Sequence, residues 1–71
     1  MKNRVRAERE FNNMTQEELA KKVGVSRQTI NSIESGKYMP STIIALKISK
    51  IFKRKADDLF VLEEFDWSTK M

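Results

Sequence analysis

The chain has 71 residues, no cysteine and no histidine. Such a length sets one domain with a small core, and the missing residue types exclude disulfides, thiolate metal sites, ordinary zinc sites and histidine-based catalysis. The formal net charge is +4, split unevenly: residues 1–56 hold 13 Lys/Arg against 5 Asp/Glu (net +8), and residues 57–71 hold one Lys against five Asp/Glu (net −4). A basic body suits a surface that meets phosphate, and an acidic tail suits one that does not. No apolar run approaches the ~18–20 residues that span a bilayer, and no signal peptide is visible. A cytoplasmic location is therefore expected.

Residues 2–11, KNRVRAEREF, read as a first helix with a thin apolar face, Val5 and Phe11 pointing inward. Asn12 and Asn13 supply a left-handed stop. Met14 is expected in the core at the entry to a second helix. Thr15, with Glu18 three residues on, forms a capping box that contributes about 0.5–2 kcal/mol to the helix start. Leu19, Ala20 and Val23 mark the inner face of this second helix. Gly24 ends it, because glycine takes the left-handed conformation without steric cost. Val25 plugs the corner. Ser26 caps a third helix, whose inner face carries Ile30 and Ile33, and Gly36 closes it. Two helices joined by about three residues match a helix-turn-helix unit over 16–35.

The outward residues of the third helix are Arg27, Gln28, Thr29, Asn31 and Ser32. All form hydrogen bonds and none is acidic. Arg suits the guanine edge, and Asn or Gln the adenine edge, in the major groove. A solvated helix face would also be polar. Cap, glycine and apolar spacing together favour base reading. Gln16 opens the second helix at its positive end, a natural place for a phosphate. Gly36 and Pro40 bound the loop after the third helix. In that loop Tyr38 packs, bonds a phosphate, or does both.

Ser41 caps a fourth helix, TIIALKISKIF. Its Ile44, Ala45, Ile48, Ile51 and Phe52 form an amphipathic core stripe, while Ile43 and Leu46 lie off it. Lys53-Arg54-Lys55 is a basic turn without the glycine expected there. Asp57 and Asp58 suit the start of a short last helix, and Leu59 and Phe60 return to the core. In VLEEFDWSTKM an extended segment is expected, with Glu63, Phe65 and Trp67 on one face and Leu62, Glu64 and Asp66 on the other. An isolated strand needs a partner. The same strand of a second subunit would give an antiparallel ribbon; the competing arrangement folds the tail back on its own domain.

The stretch TQEELAKKVGVSRQTINSIESGKYMPS resembles the Cro/repressor type of helix-turn-helix, also called the XRE family. The likeness covers about residues 3–60. Its most specific parts are TQEELA, VSRQTI, the Ile33–Glu34 pair, and GKY followed by Pro40. It implies an all-α, five-helix, lambda-repressor-like DNA-binding domain over 3–60, with the third helix in the major groove. It also implies dimers that place two such helices about one DNA turn apart. A tail over 61–71 would supply a short β-strand for dimerisation through Val61, Leu62, Phe65 and Trp67. The resemblance places Arg9 against Glu34 as a salt bridge between the first and third helices. It places Gln16, Ser26, Ser35, Lys37 and Tyr38 against DNA phosphates. Two departures stand out: Glu8 occupies a position that is more often apolar in the family, and the 53–55 turn lacks the family's usual cap.

The expected function is a sequence-specific transcriptional regulator, a repressor occupying a palindromic operator as a homodimer. The expected partners are double-stranded DNA and a second copy, with no membrane, cofactor, metal or small-molecule ligand. An antitoxin or a restriction-modification controller would use the same module. A protein-interaction module working through Ile43 and Leu46, or through the tail, is an alternative from another class. An enzyme is not expected, since the sequence has no phosphate-cradling glycine loop and no paired carboxylates in an apolar pocket.

Overall fold

The computed structural model describes residues 1–68. The order is β1 (Lys2–Asn3), α1 (Val5–Phe11), α2 (Gln16–Val23), α3 (Arg27–Glu34), α4 (Thr42–Phe52), α5 (Ala56–Leu59), β2 (Phe60–Val61) and α6 (Glu64–Trp67). Val5, Leu19, Ala20, Val23, Ile30, Ile33, Ile48, Phe52 and Leu59 bury together as one core. Met14, Val25, Ile44, Ile51 and Phe60 pack around its edge. The core thus draws on each of the first five helices, and the α2–α3 unit supplies the largest share.

Local chemistry starts and stops the helices much as the residue types dictate. The Thr15 hydroxyl accepts from the Glu18 N–H at 3.0 Å, and the Glu18 carboxylate accepts from the Thr15 N–H at 2.8 Å. Ser26 and Ser41 accept from Thr29 N–H and Ile44 N–H in the same way. Gly24 is left-handed, at φ 89°, and so ends α2 without strain. Asn13 takes φ 54° and turns the chain between α1 and α2.

The Thr15 N–H, and then the Thr15 side chain, hold the Glu18 carboxyl below its ordinary value of 4.5. A depressed carboxyl stabilises the fold above its unfolded pKa and stops doing so as pH falls through its folded value. Acid titration below about pH 4.5 should therefore remove this part of the stability. A Glu18→Gln variant, melted across the same range, should show a flatter profile. A profile identical to the parent's would deny the carboxylate this role.

Lys53 ends α4 in the left-handed region, at φ 55°. A residue with a Cβ is strained there and glycine is not. Lys53→Gly should raise stability by about 0.5–1 kcal/mol, once the looser unfolded chain is offset against the relieved strain. Thermal unfolding checks this; a lower Tm would show that the Lys53 stem holds packing worth more than the strain.

Three expectations are corrected. Phe11 does not enter the core; it is exposed at the end of α1, because Asn12 and Asn13 turn the chain immediately after it. The first helix begins at Val5, and Lys2–Asn3 form a strand instead. In the 53–55 turn all three residues are exposed, and Arg54 Nε lies 3.3 Å from the Glu8 carboxylate. That pairing explains how Glu8 sits half-buried where an apolar residue was expected. Lastly, the extended tail stops at Val61.

Within the described part of the tail only Phe60–Val61 is a strand, paired antiparallel with β1 in the register Lys2↔Val61 and Asn3↔Phe60. Residues 64–67 coil into a helical turn. Glu63 and Asp66 cap that turn reciprocally, with the Glu63 N–H donating to Asp66 at 2.8 Å. The Met1 amino group lies 2.9 Å from Glu63 and 3.1 Å from Asp66. These bonds, rather than side-chain alternation, set the path of residues 60–68. Residues 69–71 of the expected tail lie outside the described part.

Candidate nucleic-acid interface

Helix α3 is held from three sides, and each hold leaves its outer face open. From inside, Ile30 and Ile33 are fully buried. From α1, Arg9 Nε donates to Glu34 Oε2 at 2.7 Å, and Arg9 Nη2 donates to Glu34 Oε1 at 3.2 Å. Arg9 Nη1 donates to the Met14 carbonyl at 2.7 Å. From α2, Gln16 Nε2 donates to Glu34 Oε1 at 3.1 Å. One carboxylate at the end of α3 therefore ties three helices together. The hydrogen bond to Glu34 is the main reason that the Arg9 guanidinium binds its proton even more firmly than usual.

Two further ties were not legible in the sequence. Asn3 Nδ2 donates to the Ile33 carbonyl at 2.9 Å, while its side-chain oxygen accepts from the Val5 N–H. A residue of β1 thus caps the end of α3 and the start of α1 at once. Lys47 Nζ donates to the Val23 carbonyl at 3.1 Å, a cation at the negative end of α2. Long-range side-chain bonds of this kind leave no local spacing signal.

Arg27, Gln28 and Asn31 are exposed on α3, and Thr29 and Ser32 are half-buried. Thr29 Oγ1 shares a hydrogen bond with Ser26 Oγ at 2.9 Å, so that pair is preset. Gln28, Thr29, Ser32 and Tyr38 line one shallow hollow, which places Tyr38 beside the outer face of α3. Arg27 and Asn31 lie at the other side, in an open cleft of about 550 Å³ that also includes Arg6, Arg9, Thr15, Gln16 and Glu17. Arg6 was not singled out in the sequence. Its spacing from Arg9 (three residues, one helix face) is the signal that identifies it.

The expected phosphate-facing residues fall around this face but differ in what they have to offer. The N–H groups of Ser35, Gly36, Lys37 and Tyr38 all donate to carbonyls at the end of α3: Asn31, Ile33, Ser32 and Ser32 respectively. The Ser35 hydroxyl donates to the Ser32 carbonyl as well. The loop therefore presents side chains, those of Lys37 and Tyr38, more than backbone donors. Ser26 Oγ serves as the cap of α3, and the Gln16 amide serves Glu34. Val61, Leu62, Phe65 and Trp67 are exposed in the tail, and none of them lines the α3 hollow or cleft. Among the described residues no His/Cys/Asp/Glu group is arranged to hold a metal, and no helix is long and apolar enough to cross a membrane.

Two stacked short helices, a left-handed glycine between them and a polar second helix facing outward define the helix-turn-helix class. The helix-turn-helix family model matches residues 5–59, and the chain belongs to that family, as a small protein of the XRE type. It is 55% identical over 64 residues to an uncharacterised HTH-type transcriptional regulator of Methanocaldococcus jannaschii, covering 90% of this chain and 97% of that one. It is 50% identical over 64 residues to another from Bacillus subtilis, covering 90% of this chain and 97% of that one. An Archaeoglobus fulgidus protein of the same description is also 50% identical over 64 residues, with 90% of each chain covered.

Proposed function

We propose that this protein is a DNA-binding transcriptional regulator that reads its site through α3 in the major groove. The observation that carries the proposal is the face of α3: Arg27, Gln28, Thr29, Asn31 and Ser32 point outward from a helix fixed by Arg9, Gln16 and Asn3. A rigid helix of hydrogen-bonding, non-acidic side chains has the means to discriminate base edges. Phosphate contacts position the protein and base contacts specify the site. Lys37, Tyr38 and Arg6 flank α3 for the first task, with Ser26 and Ser35 at its ends and Gln16 at the start of α2. The basic body, net +8 over residues 1–56, supplies the general attraction to the duplex. The relatives' description as HTH-type transcriptional regulators supports the same reading. The chain works as a homodimer and represses by occupying a palindromic operator; Val61, Leu62, Phe65 and Trp67 carry the subunit contact.

Titrating a random-sequence duplex over a salt series tests the electrostatic half of this account. Affinity should fall linearly on a log–log plot, with a slope near −0.9 per phosphate contacted. A flat response would remove DNA as the partner.

A further inference from the structure

We propose that the tail of one copy docks into a basic-rimmed apolar groove on α4 of a second copy, reciprocally, so that each subunit contributes both halves of the contact. The proposal rests on the homodimer in the functional reading and specifies which surfaces meet.

The large exposed apolar side chains include two clusters. One is on α4, where Ile43 is 68% exposed and Leu46 53%. These two and Ile51 form a shallow groove whose rim is Lys22, Lys47 and Lys50, with no carboxylate in its lining. The Lys53–Lys55 turn continues the basic rim beyond Leu46. The other cluster is the tail, where Leu62 is 55% exposed, Phe65 77% and Trp67 76%. Interleaved with them are Glu63, Glu64 and Asp66, and residues 57–68 contain no Lys or Arg. Contiguous apolar surface of this kind marks an interaction site, and exposed Trp and Phe are typical anchors for a pocket.

Charge decides which surfaces pair. Groove against groove would set Lys22, Lys47 and Lys50 of one copy against the same lysines of the other. Tail against tail would set Glu64 against itself, beside Glu63 and Asp66, whose charges the Met1 amino group of their own chain partly offsets. Like charges facing each other across an interface suppress association, and opposite ones favour it. Only tail against groove satisfies both clusters at once. None of the residues lining the groove belongs to the tail of its own chain. Two such contacts related by a two-fold axis close the dimer and leave no unmatched half.

Sedimentation equilibrium of the full chain tests this, with thermal melts confirming that each variant folds. Leu46→Glu and Trp67→Ala should each raise the dimer Kd about tenfold or more. Both sites are exposed, so folding should survive. The deciding sample is an equimolar mixture of the two variants. A mixed dimer keeps one intact tail in one intact groove, so the mixture should associate more tightly than either variant alone. Lys50→Glu should weaken the dimer, and adding Glu64→Lys to the same chain should restore it. If Leu46→Glu dimerises as tightly as the parent, the groove is not the tail's seat, while the homodimer itself stands. If the parent is a monomer throughout, the homodimer reading fails and the docking fails with it.

Discussion

Glu34→Ala should lower the stability of the protein by about 3–5 kcal/mol, the cost of leaving a largely buried cation without its partner. The Arg9 side chain is 11% exposed and that of Glu34 is 4% exposed, with 2.7 Å between them. Removing Glu34 also strands the Gln16 amide, which donates to the same carboxylate. For a domain of this size such a loss lowers Tm by roughly 12 °C or more. The expectation is about the penalty of breaking the pair, not about the pair's net worth. Replacing both members, Arg9→Met with Glu34→Leu, should recover most of the loss, since a buried ion pair and a packed apolar pair are often close in stability. Chemical denaturation of the two single variants and the double variant measures the coupling directly. A single-variant loss below about 1 kcal/mol would class the pair with ordinary surface ion pairs.

The second large effect concerns binding. Arg27→Ala should cost about 1–3 kcal/mol of affinity for the preferred site, about 5- to 150-fold, and relax the preference at one base pair. Arg27 is exposed at the first turn of α3, where recognition-helix residues meet base edges. Lys37 is the contrast, on the loop and outside the helix. Lys37→Ala should weaken binding to all sequences alike and reduce the salt slope by about one contact. Titration of both variants against a panel of single-base-pair changes separates the roles. An Arg27→Ala loss that is equal at every position would make Arg27 a phosphate contact instead.

Much of this architecture is legible in the sequence where the determinants are short in range. Thr15 with Glu18, Ser26, Gly24 and Ser41 fix their helix ends through bonds spanning three or four residues. The inner residues Leu19, Val23, Ile30, Ile33, Ile48 and Phe52 follow from helical spacing alone. The Arg9–Glu34 pair joins residues 25 apart; only the family resemblance suggested it. Asn3 and Lys47 lack even that, because each acts on a carbonyl far along the chain. The tail misled for a different reason. Its bulky and β-branched residues favour extension, but Glu63 and Asp66 close a capped turn and the Met1 amino group binds both. At Lys53 the helix end takes a left-handed residue without glycine, so the strain is visible only in the backbone. At the interface the sequence gives the residue types facing outward, whereas the structure adds which donors are already committed. The Ser35 and Gly36 N–H groups are spent on the end of α3 and Arg6 Nε on Glu10, which leaves the side chains of Lys37 and Tyr38 as the loop's outward polar groups.

Selection of binding sites from random duplex DNA, with the winners re-titrated over a salt series, tests base reading by α3 most directly. One sequence should be enriched as an inverted repeat, its half-sites about 10 base pairs apart, with a steep fall of affinity with salt. Absence of any enriched sequence, with binding that stays weak at low salt, would contradict it.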